Sequence, residues 1–117
     1  MPDYTLTTRV VLHKDDARTK EHSPDAEEYE TLHAEMHARG YRRFYKNKRD
    51  QKLKLPPGEY VIDLTADDGA SARSAAQKKA VEAATIATSA ARFSLLTTGA
   101  GSIRGYQLEP ITKDPDA

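Results

Sequence analysis

The sequence predicts one α+β domain in which strands and helices follow the order βαββαβ. Three observations lead to this prediction. Several segments alternate polar and apolar residues as strands do, two longer segments have helical spacing or composition, and the 117 residues suffice for one hydrophobic core. We therefore expect a single domain over residues 1–111 and a flexible, polar C-terminal tail over residues 112–117.

The first two predicted elements are a strand and a helix. Residues 4–13 alternate apolar or β-branched side chains with polar ones, which is the pattern of a half-buried strand. After a charged loop, Ser23 and Pro24 mark a helix start, because serine is a good N-cap and proline suits the first helical turn. Gly40 suits the left-handed residue that follows a helix, so the first helix is predicted over residues 24–39.

A hairpin and a further strand are predicted next. Residues 41–45 and 52–55 are short segments that combine aromatic or apolar residues with basic ones, and the polar residues 46–51 between them are typical of a hairpin tip. The prolines and glycine at 56–58 end this hairpin. Residues 59–65 are rich in β-branched and apolar side chains, and we expect them to form the central strand of the sheet.

Residues 72–91 are predicted to form the second helix, because they are rich in alanine, glutamine, lysine and glutamate. The alanines allow a close approach to a sheet, with only Val81 and Ile86 as larger anchoring side chains. A strand over residues 92–98, a turn and a last strand over residues 103–111 complete the chain. This order is that of a ferredoxin-like antiparallel sheet with two helices on one face plus an extra C-terminal strand. Since an uncovered edge strand is a liability, we expect the last strand to pair in a homodimer.

The composition excludes several classes of protein. The chain has no cysteine, which removes disulfides, thiolate metal sites and a cysteine nucleophile, and which fits a reducing cytoplasm. No basic and apolar leader follows Met1, and no apolar stretch reaches the roughly 20 residues that span a bilayer. We therefore expect a cytoplasmic protein without a membrane partner.

A net charge of zero hides an uneven charge distribution. Residues 39–54 contain eight basic side chains and a single acid, whereas the first third of the chain is acidic. Lysine and arginine neutralise phosphates and aromatic rings stack on unpaired bases, so this basic hairpin predicts RNA as a partner. The candidate RNA-binding residues are Arg9, Tyr41, Arg42, Arg43, Tyr45, Lys46, Lys48 and Arg49. Phe44 offers a third ring in the same segment. The alternative is a solvated edge hairpin that lysines keep soluble.

Two histidines on the first predicted helix have the spacing of a metal-binding pair. His33 and His37 stand four residues apart, so they can present two imidazoles to one ion. The letters HAEMH differ from the HExxH pattern of zinc proteases, and no third ligand accompanies the pair. Histidines at the boundary of the helix's apolar stripe are therefore the favoured interpretation.

Candidate catalytic residues lie at and just past the end of the first predicted strand. His13, Asp15 and Asp16 can bind Mg²⁺ or take the proton of a ribose 2′-hydroxyl, which are steps in RNA cleavage. The alternative is a charged, solvated loop. No serine, histidine and acid stand at a recognisable motif spacing, and no cofactor is predicted apart from Mg²⁺ if the protein is a nuclease.

Four segments of the chain read YTLTTRVVLH, DAEEYETLHAEMHARGY, KLPPGEY and RFSLLTT, between residues 4 and 98. In this order they resemble the GhoS-like family of small bacterial and phage proteins, which includes the antitoxin of a type V toxin–antitoxin pair. The resemblance implies a ferredoxin-like fold, dimers formed through terminal strands, and an endoribonuclease that cleaves the messenger of a membrane toxin. It also implies a catalytic acid at the end of the first strand, where Asp15 and Asp16 stand. The charged loop over residues 14–22 and the basic hairpin are longer here than in that family.

Two functional hypotheses follow. The first is an RNA-binding protein and, more specifically, a GhoS-like endoribonuclease antitoxin that cleaves a toxin messenger. The second is a non-enzymatic bacterial or phage interaction protein, such as an anti-defence inhibitor. It would dock on a host protein or nucleic-acid complex through the basic hairpin and the acidic first helix. Incubation with mixed RNA, with and without Mg²⁺ and a chelator, discriminates between them.

Overall fold

A computed structural model describes residues 2–23, 26–46, 48–108 and 110–112. Its helices are α1 (Glu27–Ala38) and α2 (Gly69–Ala87). Its strands are β1 (Asp3–Leu12), β2 (Phe44–Lys46), β3 (Lys52–Lys54), β4 (Glu59–Thr65), β5 (Phe93–Gly99) and β6 (Ser102–Tyr106). They form a four-stranded antiparallel sheet in the order β4-β1-β5-β6 and a separate two-stranded sheet of β2 and β3. The predicted α+β class is therefore confirmed.

Both helices cover one face of the four-stranded sheet. Side chains alternate along β1, and its inward residues include Leu6 and Val10, which lie opposite Ile62 of β4 and Leu95 of β5. These residues form one core cluster with apolar residues of α1, such as Leu32, and with the alanines of α2. Because the helices pack against the same face, the other face of the sheet lies outside this core.

The inner strands of the sheet are β1 and β5, whereas β4 lies at its edge, so the predicted central position of residues 59–65 is wrong. The apolar density of β4 has another cause. Tyr60 and Ile62 face the helices, while the chain at Arg42 pairs along the outer edge of β4 and Val61 is buried there. An edge strand that is covered in this way acquires the composition of a central one.

The strand predicted after the first helix does not join the four-stranded sheet. Among the described residues between α1 and β3, Arg42 alone pairs with β4, through backbone hydrogen bonds of 2.7 and 2.8 Å with Val61. The chain then leaves the sheet as a hairpin in which β2 and β3 pair with each other. The ferredoxin-like order of the sheet is therefore not matched.

The last strand is shorter than the predicted segment 103–111. It ends at Tyr106, because Gln107 has a left-handed φ of 57° and its side-chain amide donates to the carbonyls of Ala90 and Phe93. β6 pairs with β5, and the pairing of a second subunit on its other edge stays a prediction. Of the predicted tail, residues 113–117 lie outside the described residues.

The first helix begins three residues later than predicted. Its N-cap position is taken by Ala26, whose amide donates to the carbonyl of Ser23 in a preceding turn. Ser23 is therefore not the N-cap. Pro24 and Asp25, which were expected inside the helix, lie outside the described residues.

The second helix packs through small residues. It begins at Gly69, where the Asp68 carboxylate accepts a hydrogen bond of 2.7 Å from the Ser71 amide. Its buried face consists of alanines and Gln77, and Ile86, a predicted anchor, is 55% exposed. The described residues include no helix long and apolar enough to cross a membrane.

The end of α1 fixes the path of the chain toward the hairpin. Gly40 has a φ of 97°, its amide donates to the carbonyl of His37, and the Tyr41 amide donates to the carbonyl of Met36. This pair of bonds is a Schellman motif, which reverses the chain at a helix end. The reversal directs the Tyr41 side chain into the core, where its hydroxyl is 2.8 Å from both the Thr8 hydroxyl and the Ala76 carbonyl oxygen.

Replacement of Tyr41 by phenylalanine tests how much these buried hydrogen bonds stabilise the fold. The ring stays in the core, while Thr8 and Ala76 lose a partner, so we expect Tyr41→Phe to lower the free energy of unfolding by about 1 kcal/mol. Urea unfolding of the two proteins measures the difference. An unchanged midpoint would mean that the phenol contributes nothing beyond its ring.

Candidate nucleic-acid interface

A cleft of about 810 Å³ separates α1 from the β2–β3 hairpin. Tyr29, His33 and His37 form the wall on α1. Arg42, Arg43, Phe44, Lys52 and Lys54 form the wall on the hairpin side. Residues 55–58, which connect the hairpin to β4, and Glu59 at the start of β4 close the remaining side. The cleft therefore joins an aromatic ring and four cationic side chains to two imidazoles.

The two faces of the hairpin differ in chemistry. Phe44 pairs with Lys54 across the strands, and the cleft is lined by this face. Tyr45 pairs with Leu53 on the other face, where both side chains are exposed. Because successive side chains of a strand point to opposite faces, Phe44 and Tyr45 cannot enter the same site.

Two cations lie near the Phe44 ring. The Lys52 ammonium nitrogen lies 5.0 Å from the ring centre and the Arg42 guanidinium carbon lies 6.0 Å from it. Arg42 also forms an ion pair of 3.0 Å with Asp63 of β4. These contacts fix the ring next to positive charge, which suits a ligand with a planar group and an anionic group.

On the opposite wall, His33 is tied to the sheet by Tyr60. The His33 Nδ1 atom and the Tyr60 hydroxyl are 2.7 Å apart. Burial, together with the positive charge of Arg43, lowers the pKa of His33 below 6.5 against the opposing effect of Glu30. Burial raises the pKa of Tyr60, so the phenol stays protonated at neutral pH. His33 is therefore a neutral, positioned imidazole there.

A second pocket, of about 630 Å³, adjoins the cleft. Three residues line both spaces, namely His33, His37 and Arg43. The second pocket adds Glu30 and Ala34 of α1, together with Tyr41 and Tyr60. We call the cleft and the second pocket together the groove.

Several predicted RNA-binding residues lie in or near the groove. Arg42 and Arg43 line it. Lys46, Lys48 and Arg49 lie on the exposed end of the hairpin, where Lys46 is 3.7 Å from Asp50. The predicted turn residue Asn47 lies outside the described residues.

The other predicted RNA-binding residues are either buried or outside the groove. The prediction that the Tyr41 ring stacks on a base is wrong, because the ring is 1% exposed in the core. Tyr45 is accessible, but on the face of the hairpin away from the cleft. Arg9 lies on the face of β1 away from the helices, 59% exposed and 3.8 Å from Glu59.

Lys52 and Lys54 were not among the predicted RNA-binding residues, and Phe44 was predicted only as a third ring that could stack on a base. The alternation along the hairpin could have found them. Phe44, Lys52 and Lys54 share one face by strand register, and that register follows from the positions of the two short strands.

The predicted catalytic residues stabilise the loop after β1. The Asp15 carboxylate accepts hydrogen bonds from the Thr19 hydroxyl and from the amides of Thr19 and Lys20. The bond from the Thr19 hydroxyl is the main cause of a lowered Asp15 pKa. Asp16 lies 2.8 Å from the Arg92 guanidinium. Neither acid lines the groove, and both have partners within the loop or the adjoining β5 segment.

His13 is also placed in a structural setting. Its side chain is 6% exposed, and its Nε2 atom lies 3.4 Å from the Ser94 hydroxyl. Burial is the main cause of its lowered pKa. In the described parts of the chain, no three histidines, cysteines or acids converge in a way that could hold a metal ion. The geometry thus gives His13, Asp15 and Asp16 loop and packing contacts rather than a shared reactive centre.

No family model, curated protein or solved structure matches this chain significantly. The groove is therefore interpreted from its own geometry.

The buried setting of His33 predicts a pH-dependent stability. The unfolded chain, with a histidine pKa near 6.5, binds the proton more readily than the folded chain. The free energy of unfolding should therefore fall as the pH is lowered through 6.5 toward the folded pKa. We expect His33→Asn to reduce this fall, measured by urea unfolding at about pH 7.5 and about pH 5.5. Equal pH dependence in the variant and the parent would contradict the assignment.

Proposed function

We propose that the protein binds single-stranded RNA in the groove between α1 and the β2–β3 hairpin. The observation that carries the proposal is the Phe44 ring on the cleft wall, with the cations of Lys52 and Arg42 5.0 and 6.0 Å away. An unpaired base stacks on an aromatic ring, and the adjacent phosphates are neutralised by lysine and arginine. The aromatic ring and the cations therefore lie side by side on the cleft wall.

The charges around the groove support an anionic ligand. Within the described residues, Arg42 is paired with Asp63, whereas no ion pair joins Arg43, Lys52 or Lys54 to an acid. These three cations are exposed. Unpaired cations on one short hairpin repel one another, and a bound phosphate backbone removes that repulsion.

A ferredoxin-like interpretation of the fold is part of the proposal. The bridge between Arg42 and Val61 lies where a ferredoxin-like sheet has its second strand. The neighbouring strands β4, β1 and β5 are in the order expected for such a sheet. We interpret the hairpin as that second strand and its neighbour, shortened at the sheet and folded over α1. The resemblance to the GhoS-like family supports the same fold and RNA as the ligand.

Binding is favoured over cleavage. Hydrogen bonds from Thr19 and Lys20 lower the pKa of Asp15, which makes it a weaker general base. Asp16 is paired with Arg92. The endoribonuclease activity that the GhoS-like resemblance implies would require these loop contacts to open. Discrete RNA fragments that vanish in an Asp15→Asn variant would support that activity in addition to binding.

The salt dependence of RNA affinity tests the proposal. Each phosphate contact adds about 0.7 to the slope of log affinity against log salt for a single strand. We expect Lys52→Gln/Lys54→Gln to lower the magnitude of the slope by about 1.4, measured by fluorescence anisotropy with labelled octauridylate.

The matched control is Lys78→Gln/Lys79→Gln, which removes the same charge from α2, a helix that contributes no described residue to the groove. Its slope should equal that of the parent. If both double variants lower the slope alike, binding follows net charge alone and the groove is not the site. If the parent does not bind octauridylate at low salt, docking on a protein becomes the better hypothesis.

A further inference from the structure

The junction between the two parts of the groove is built from three side chains that can contact a phosphate. His33, His37 and Arg43 line both the cleft and the second pocket. Imidazole and guanidinium groups donate hydrogen bonds to phosphate oxygens. A ligand that fills both spaces must therefore pass this junction.

Arg43 is the cation best suited to the junction. Its side chain is exposed, and no ion pair joins it to an acid among the described residues. Its charge contributes to the lowered pKa of His33 and partly offsets the burial that raises the pKa of Tyr60. Arg42, its neighbour, is already paired with Asp63. A guanidinium presents a planar fork of donors that can hold one phosphate through two oxygens.

The two spaces flanking the junction differ in a way that fits two nucleotides. The cleft offers the Phe44 ring and two prolines, which suit the face of a base. The second pocket offers the Glu30 carboxylate, which can accept a hydrogen bond from the polar edge of a second base, and the Ala34 methyl group as an apolar contact beside it. At about 810 and 630 Å³, each space exceeds the roughly 300 Å³ at the low end of small-ligand sites.

We infer that the groove holds two consecutive nucleotides of single-stranded RNA and that Arg43 binds the phosphate linking them. This inference rests on the proposed function and adds to it a register for the RNA. A base pair hides the base face and edge inside a duplex, so the arrangement excludes double-stranded RNA from the groove.

A neutral linkage isolates the phosphate contact. The probes are the dinucleotide UpU and its analogue with an uncharged methylphosphonate linkage, each competing against labelled octauridylate. In the parent we expect UpU to bind about tenfold more tightly than the analogue, as for a hydrogen bond to a charged group. Arg43→Gln should bind the two equally. Lys54→Gln loses the same charge from the cleft wall and should keep the preference of the parent.

The outcomes separate the two proposals. A preference for UpU that Arg43→Gln abolishes and Lys54→Gln retains supports the inference. If octauridylate binds but Arg43→Gln keeps the preference, or Lys54→Gln loses it too, Arg43 does not hold the linking phosphate, while the RNA-binding proposal stands. If octauridylate does not bind the parent, both proposals are overturned. Arg43 is exposed, so its replacement should leave the urea unfolding midpoint unchanged.

Discussion

The burial of Tyr41 is the constraint on which the rest of the structure depends. The amide of this residue donates one of the two hydrogen bonds of the Schellman motif that ends α1, and the next residue, Arg42, pairs with β4. Its phenol bonds to Thr8 of β1 and to the Ala76 carbonyl of α2, and burial raises its pKa to about 12, so it keeps its proton. One side chain therefore ties α1, the sheet, α2 and the root of the hairpin together. The distance between α1 and the hairpin, which form the walls of the groove, therefore depends on this side chain.

The cleft exists because the β2–β3 hairpin leaves the four-stranded sheet. A strand that continued along β4 would lay its aromatic and basic residues against the edge of the core. Instead, the backbone bridge at Arg42 holds the chain to β4, and the residues after it run beside α1. Phe44 there lines the same cleft as His33 and His37. The ion pair between Arg42 and Asp63 neutralises the charge at the root of the hairpin. Among the described residues, no ion pair joins Arg43, Lys52 or Lys54 to an acid. The positive charge is neutralised where the hairpin joins the sheet because β4 carries Asp63 at that point.

Local patterns predicted much of the fold, since β1, both helices, the hairpin and the turn before β6 lie close to their expected positions. The sequence could not predict which ring of the YRRFY segment is buried, because Tyr41, Phe44 and Tyr45 are all aromatic and alternation alone does not say which face is the core. The helix end decides it, through the reversal at Gly40. Nor could the acids after β1 be assigned from sequence, because the hydrogen bonds that engage Asp15 depend on the folded loop. Long-range pairing, such as that of Arg42 with Val61, likewise has no local signature.

The central claim is that RNA contacts the face of the hairpin turned toward α1. Phe44 and Tyr45 provide a matched pair, since they are adjacent aromatic residues on opposite faces of β2. The most direct measurement is therefore the affinity of Phe44→Ala and Tyr45→Ala for labelled octauridylate, with unfolding midpoints recorded alongside. The account predicts that Phe44→Ala weakens binding by roughly 1–3 kcal/mol, as expected for the loss of a stacked base, and that Tyr45→Ala binds like the parent. Equal losses in the two variants, or a loss confined to Tyr45→Ala, would contradict it.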